Sequence, residues 1–354
     1  MTTASIPNTP TELSTTHPQL NALLQDAGVA PLTMGWIRVT GSDRERWLNG
    51  MATNSVQQLT NGKGAYNFFL NAQGRIQGDG TIFAAPDALL LETAQAETLV
   101  PYLDHYIIMD DVELADVTTT RHGIQLIGPR APALLAKLGL SLNNLGEDSP
   151  GVDNLGELES ASVAWNGLTL TVIHAYSPLV PRFELWLENA SDAEALLTAL
   201  KTEGALAVDA DTLNTLRILE GTPLYGIDIR NSDTARDLPQ ETNQSRALHF
   251  AKGCYLGQEI VERIRSRGNV HRTFTAFRLE GQLPDAGVVL QSAGKPAGEL
   301  TSIVSIAIDQ DHTVQLALGY ARREALDRHE PLQYPGGTAH TVAIPALAEI
   351  KTQR

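Results

Sequence analysis

One cysteine occurs in 354 residues: Cys254, inside the run AKGCYLGQEIVERIRSRG at positions 251–268. Its setting suits a reactive sulfur. Leu256, Ile260, Val261 and Ile264 fall on one face of a helix, Glu259, Glu262, Arg263 and Arg265 fall on the other, and Gly268 is a stop signal. Cys254 is therefore expected at or just before a helix N-terminus. Unpaired amide hydrogens, the positive end of the helix dipole and nearby Lys252 would there favour thiolate over thiol. The competing reading is a small buried apolar side chain, the commoner fate of a lone cysteine. Gly253 and Gly257 favour the first, because they permit close backbone approach rather than fill a core. No acyl-transfer triad is legible, and His249, five residues upstream, is only a candidate base. A cluster bound at one cysteine would need further ligands from a partner chain or a small molecule.

The same run is locally basic. Arg263, Arg265, Arg267, His271 and Arg272 lie within ten residues of a chain whose formal charge is −15. Either these arginines pair with Glu259 and Glu262 on a solvated helix face, or they form an anion site for a ligand carrying carboxylates.

The elements that must position these residues can be read from pattern. GWIRVTG is strand-like, and Ser42 and Glu45 have the capping-box spacing that predicts a helix over SDRERWLNGM. YNFFLNAQGRIQGDGTIFAA reads as a hairpin whose Gly74 supplies the positive φ of the turn, and AETLVPYLD as a helix. A related order returns at RHGIQLIG, LTLTVIHAY and RFELWLE, followed by a helix with the capping-box pair Ser191 and Glu194. The chain thus reads as two α+β units of similar topology, joined by a loop rich in Asn, Gly, Asp and Ser over 138–157. DADTLNTLRILEGTP predicts a helix stopped by Gly221 and Pro223, and 230–253 is irregular. From Thr273 onward, strands alternate with turns as in a small β-barrel.

Composition narrows the function classes. With 42% hydrophobic residues the chain can bury real cores, and one cysteine permits no internal disulfide and fits a reducing compartment, so a cytosolic location is expected. The first twenty residues carry no Lys or Arg and no signal-like apolar core, and read as a flexible tail. No apolar run reaches membrane-spanning length, so no membrane partner is expected. The acidic balance argues against general nucleic-acid binding.

Lys252-Gly253-Cys254-Tyr255-Leu256-Gly257-Gln258-Glu259 resembles the KGCYxGQE motif of YgfZ-type tetrahydrofolate-binding proteins that support iron-sulfur enzymes. Leu216-Arg217-Ile218, Gly226-Ile-Asp228, Leu238-Pro239-Gln240-Glu241, Thr53-Asn54 and Leu70 to Ile76 resemble other family segments, in order over roughly residues 35 to 335. That family is similar in fold to the T-protein aminomethyltransferase of glycine cleavage. The resemblance implies an α+β protein of two ferredoxin-like units (21–268, after a tail over 1–20) and a C-terminal antiparallel β-barrel (269–354) around a central folate channel. It further implies tetrahydrofolate, or a polyglutamylated derivative, as cofactor, and iron-sulfur client enzymes or assembly proteins as partners. Cys254 with Lys252 is the implied functional thiol site. Asp79 matches the aspartate that T-proteins place near the reactive folate nitrogens, where a carboxylate can relay a proton. Glu184 resembles the strand glutamate that accepts the donor edge of the pterin, and Arg217, Tyr255 and Gln258 complete the implied folate contacts.

Strand parity puts Asp79 on one face with Gln77 and Thr81, which solvent or a ligand could occupy, and the flanking Gly78 and Gly80 are expected to admit the ligand. Glu184 could likewise be an outward-facing charge. Two positions depart from the pattern. Leu213 stands where T-proteins carry a folate-contacting arginine, and Glu220 is shifted along its helix. Two functions stay open: a folate-dependent accessory protein for iron-sulfur cluster assembly or repair, and a folate-dependent aminomethyltransferase or demethylase that uses Asp79.

Overall fold

A computed structural model describes residues 15–140, 155–232, 237–268 and 270–351. Most of the expected tail and of the expected 138–157 loop therefore lies outside the described residues. From Pro18 the chain is already helical, as α1 (Pro18–Gln25).

Eleven strands build two sheets. They are β1 (Gly28–Leu32), β2 (Gly35–Thr40), β3 (Gly64–Leu70), β4 (Ile76–Ala84), β5 (Leu89–Thr93), β6 (Glu113–Asp116) and β7 (His122–Ile127), then β8 (Ser160–Trp165), β9 (Leu168–Ala175), β10 (Arg182–Leu187) and β11 (Leu206–Ala207). One sheet runs β3-β4-β5-β2-β6 and the other β11-β1-β7-β10-β9-β8. β1 thus leaves the first unit to pair with the second. Helices α2 (Arg44–Met51) and α3 (Ala96–Asp104) cover one face of the first sheet, and α4 (Ala131–Lys137) and α5 (Ala190–Thr202) cover one face of the second. After α6 (Ala210–Glu220) and α7 (Gln258–Arg267) the chain closes a six-stranded barrel, β12 (Arg272–Gly281) to β17 (Gly337–Val342), which includes β13 (Val289–Ser292), β14 (Lys295–Ala307) and β15 (Thr313–Arg322). The expected α+β architecture with a C-terminal barrel is the one observed.

Local chemistry explains most boundaries. Gly74 turns the β3–β4 hairpin at φ +71°, and Gly221 ends α6 at φ +70°. The Asp209 side chain caps α6 by accepting from the Thr212 amide at 2.8 Å. Neither expected capping box forms. Ser42 gives both its amide and its hydroxyl to Asp111, so α2 begins after Asp43 without a side-chain cap, and α5 begins at Ala190, ahead of Ser191.

Each sheet keeps its second face for the other. Along β4, Gln77, Asp79 and Thr81 alternate with buried Ile76, Gly78, Gly80 and Ile82. Along β10, Arg182 and Glu184 alternate with Phe183 and Leu185, which pack under the helices. Trp36 of the first sheet meets Trp186 of the second edge to face at 5.2 Å. Polar side chains of both sheets thus lie on the faces that the sheets turn toward each other.

Candidate functional site

The segment around Cys254 is clamped on both sides. Gly257, at φ +82°, precedes α7, and a Cβ there would stand 2.6 Å from the Asn71 carbonyl oxygen of the β3–β4 turn. In return, a Cβ on Gly74 would stand 2.8 Å from Ile260. Upstream, the Leu256 amide donates to the Gly50 carbonyl and the His249 amide to that of Thr53. Between these anchors Cys254 is exposed, so the buried reading of the lone cysteine does not hold. The first helical residue is Gln258, which leaves Cys254 beyond the turn over which a helix dipole acts.

Lys252 is placed differently from the expectation. Its ammonium donates to the carbonyls of Asn49 (2.6 Å), Ala52 (2.6 Å) and Asn54 (2.7 Å), at and just after the C-terminus of α2. An ammonium has three N–H groups, so none is left for the sulfur. Burial pushes Lys252 down to about 8, which keeps it protonated at neutral pH. Its role is to hold the thiol segment to α2. The candidate base, His249, is exposed and no hydrogen bond joins it to Cys254. Tyr255 is buried with Tyr66, Phe68 and Val261, and burial pushes its hydroxyl up to about 12. It packs in that cluster. Gln258 is half-buried at the first position of α7.

Asp79 anchors a second cluster. Its Oδ2 accepts from the Tyr66 hydroxyl at 2.5 Å, and its backbone is held by Gln95 and Thr93. The residue keeps contact with solvent although protein surrounds it, as expected of a group lining a cavity. Burial raises its pKa, against the Tyr66 hydrogen bond and the Arg246 charge. The Arg246 guanidinium is sandwiched 4.0 Å from the Tyr66 ring centroid and 3.8 Å from that of Tyr176. Its Nε donates to Gln244, and among the described residues its terminal nitrogens meet no acceptor. Tyr66, Tyr176 and Arg246 were not identified from sequence. Gly78 and Gly80 do not admit a ligand, because a Cβ at Gly78 would meet Leu99 at 2.8 Å and one at Gly80 the Glu92 carbonyl oxygen at 2.4 Å. They are small because α3 and β5 press against them.

Glu184 lies half-buried on the inward face of β10, where Oε2 accepts from the Trp186 indole at 3.2 Å. Buried Glu92 of β5 faces it. Burial, and then the charge and hydrogen-bonding contact of Glu184, raise the Glu92 pKa well above the usual carboxylate range. Its neutral form is thereby favoured beside the Glu184 carboxylate of the opposite sheet.

The five N–H groups of Arg217 reach Asn214, the Thr222 carbonyl, Ser302 and, at 2.5 Å, fully buried Asp228. With every donor used it ties α6 to the barrel and has none for a folate. Shifted Glu220 is likewise structural, paired with Arg182 at 3.3 Å and with Ser177. The basic run divides: Arg265 pairs with Glu262 at 3.6 Å and stacks on Phe250, whereas Arg272 pairs with Asp237 and Glu241. Arg263 and His271 line a hollow of about 270 Å³ beside Ile260 and Ile264, and the Arg267 side chain lies outside the description.

Comparison with known proteins gives the frame for this geometry. The aminomethyltransferase T of the glycine cleavage system from Bartonella henselae superposes with a TM-score of 0.77 at 19% identity, over 98% of this chain and 92% of that one. The chain has the aminomethyltransferase T fold. Residues 17–150 match the family described as the GCVT N-terminal domain. An aminomethyltransferase of Chlorobium luteolum is 29% identical over 265 residues, covering 73% of this chain and 69% of that one. A chloroplastic putative transferase of Arabidopsis thaliana is 25% identical over 301 residues, 82% of this chain and 64% of that one. A mitochondrial iron-sulfur cluster assembly factor IBA57 homolog of Neurospora crassa is 28% identical over 275 residues, 73% and 56%. The chain thus spans little more than half the length of the Neurospora relative. Among the described residues no helix is long and apolar enough to cross a membrane, and no group of three His, Cys, Asp or Glu side chains is placed to hold a metal ion.

Proposed function

We propose that the chain binds tetrahydrofolate, or a polyglutamylated form, between its two sheets, and that it serves assembly or repair of iron-sulfur clusters on client enzymes through the exposed thiol of Cys254. The observation that carries the folate part is the polar group Tyr66–Asp79–Arg246–Tyr176, enclosed yet solvent-reached, with Glu184 on the opposing sheet. These residues fit a reduced folate. Glu184 offers an acceptor to a pterin's amino edge, Glu92 keeps that carboxylate oriented, Asp79 can hold or pass a proton, and Arg246 offers free N–H groups to an oxygen. Bound tetrahydrofolate would supply the nitrogens that carry a one-carbon unit. The assembly part rests on the thiol motif, its exposed sulfur and the relative named as an iron-sulfur cluster assembly factor. A cluster is cargo here, and its remaining ligands would come from the client.

Complementation tests this division. Cys254→Ser is expected to keep tetrahydrofolate affinity and abolish rescue of an iron-sulfur enzyme defect, and full rescue by the serine variant removes the sulfur role.

Aminomethyl transfer is the second reading, favoured by the raised pKa of Asp79 and by the relatives named aminomethyltransferase. A turnover assay with aminomethylated carrier protein and tetrahydrofolate decides it, and absence of product eliminates it.

A further inference from the structure

A cleft of about 720 Å³ opens between the sheets, lined by Leu90 and Val117 on one side and Thr171 and Trp186 on the other. That volume suits a small ligand. Arg121 stands in its wall, half-buried, with its Cζ 4.6 Å from the ring centroid of fully buried Trp36. Among the described residues nothing accepts a hydrogen bond from Arg121, and no carboxylate lies at ion-pair distance. Half-buried Arg182, Arg217, Arg230 and Arg272 each meet a carboxylate, whereas Arg121, like Arg246, meets none. Burial opposes the Arg121 charge, and Glu92 and Glu188 offset that only at longer range. The indole Nε1 of Trp36 is a second buried donor without a partner. Arg121 therefore brings unanswered N–H groups to the cleft, in a chain whose carboxylates far outnumber its cations, while the Trp36 nitrogen stays buried. Arg38, also in the wall, is already answered by Asp87 at 2.5 Å.

We propose that this cleft binds a small organic anion, a carboxylate or a phosphate ester with an apolar ring or chain. The anionic oxygens take the N–H edge of Arg121, whose planar fork is already fixed by stacking. The apolar part lies over Trp186, Leu90 and Val117, and the hydroxyls of Thr120 and Thr171 stand in the same wall. The site uses none of Asp79, Arg246 and Cys254, and it adjoins the Glu92–Glu184 pair of the folate reading through Arg121 and Trp186.

Calorimetric titration of the full chain with benzoate, phenyl phosphate and benzyl alcohol tests it. At least one of the anions is expected to bind with a Kd of about 1 mM or tighter, and the neutral alcohol at least tenfold more weakly. Comparing benzoate with phenyl phosphate identifies the preferred head group. Arg121→Gln is expected to cost the bound anion about tenfold or more in affinity, and Arg278→Gln, on the barrel and outside the cleft, to leave it unchanged. Near-ultraviolet circular dichroism checks that the variants remain folded, and Arg121→Lys, which keeps the charge without the stacked fork, is expected to fall between wild type and Arg121→Gln. Equal binding of benzoate and benzyl alcohol, undiminished anion affinity in Arg121→Gln, or no binding of either anion in the millimolar range overturns the proposal.

Discussion

Replacing Lys252 by methionine separates a structural lysine from one that activates the sulfur. The change keeps most of the aliphatic stem and removes three charge-assisted hydrogen bonds of 2.6–2.7 Å to the Asn49, Ala52 and Asn54 carbonyls. Hydrogen bonds to a charged group are worth about 1.5–3 kcal/mol each when nothing replaces them. Lys252 is only half-buried, so water can reach part of the freed surface, and about 1 kcal/mol per bond is the appropriate scale. Loss of a cation at the C-terminus of α2 adds about 0.3–1 kcal/mol. Urea unfolding is therefore expected to show a loss of about 3 kcal/mol with an unchanged m-value. The rate at which an aromatic disulfide reagent modifies Cys254 in the folded variant is expected to stay near that of wild type, or to rise as the segment loosens. A stability loss below about 0.5 kcal/mol together with a sharp fall in thiol reactivity would refute the assignment and return Lys252 to the sulfur.

Glu92→Gln tests the raised pKa of Glu92. The folded-state pKa of Glu92 is raised, so its contribution to stability is full below the unfolded value and is lost as pH rises through the folded one. The variant is expected to flatten the decline in stability above about pH 4.5 and to be no less stable than wild type at pH 7, as thermal unfolding over a pH series would show. A slope identical to that of wild type contradicts a raised Glu92 pKa. Gly257→Ala is expected to cost more than about 2 kcal/mol, because a left-handed φ costs about 1–2 kcal/mol in a non-glycine residue and the new methyl meets the Asn71 oxygen at 2.6 Å. Gly253→Ala, with nothing within 4 Å, is the matched neutral substitution, and denaturant midpoints compare the two.

Local signals exposed much of the fold. Period-two runs, the Gly74 turn and the Gly221 stop each encode their element within a few residues. The capping boxes failed because Ser42 found a stronger partner in Asp111, sixty-nine positions away, which no local pattern contains. Site residues divide along the same line. The strand faces of Asp79 and Glu184 are legible through parity, whereas Arg217 and Tyr255 turn inward to Asp228 and to the Tyr66 cluster, contacts set by packing between units. Tyr66 was within reach of the hairpin register: it pairs with Thr81, so it shares a face with Asp79 and lies diagonal to it. Arg246 and Tyr176 left no such signal. They come from separate segments that only the closed fold brings to Tyr66.

Titration of the full chain with tetrahydrofolate under anaerobic conditions tests the folate site most directly. Wild type and Cys254→Ser are expected to bind one equivalent with similar affinity, and Glu184→Ala and Arg246→Gln to bind at least tenfold more weakly, a loss of about 1.4 kcal/mol. Failure of wild type to saturate, or wild-type affinity in both site variants, would contradict a pterin held between the two sheets.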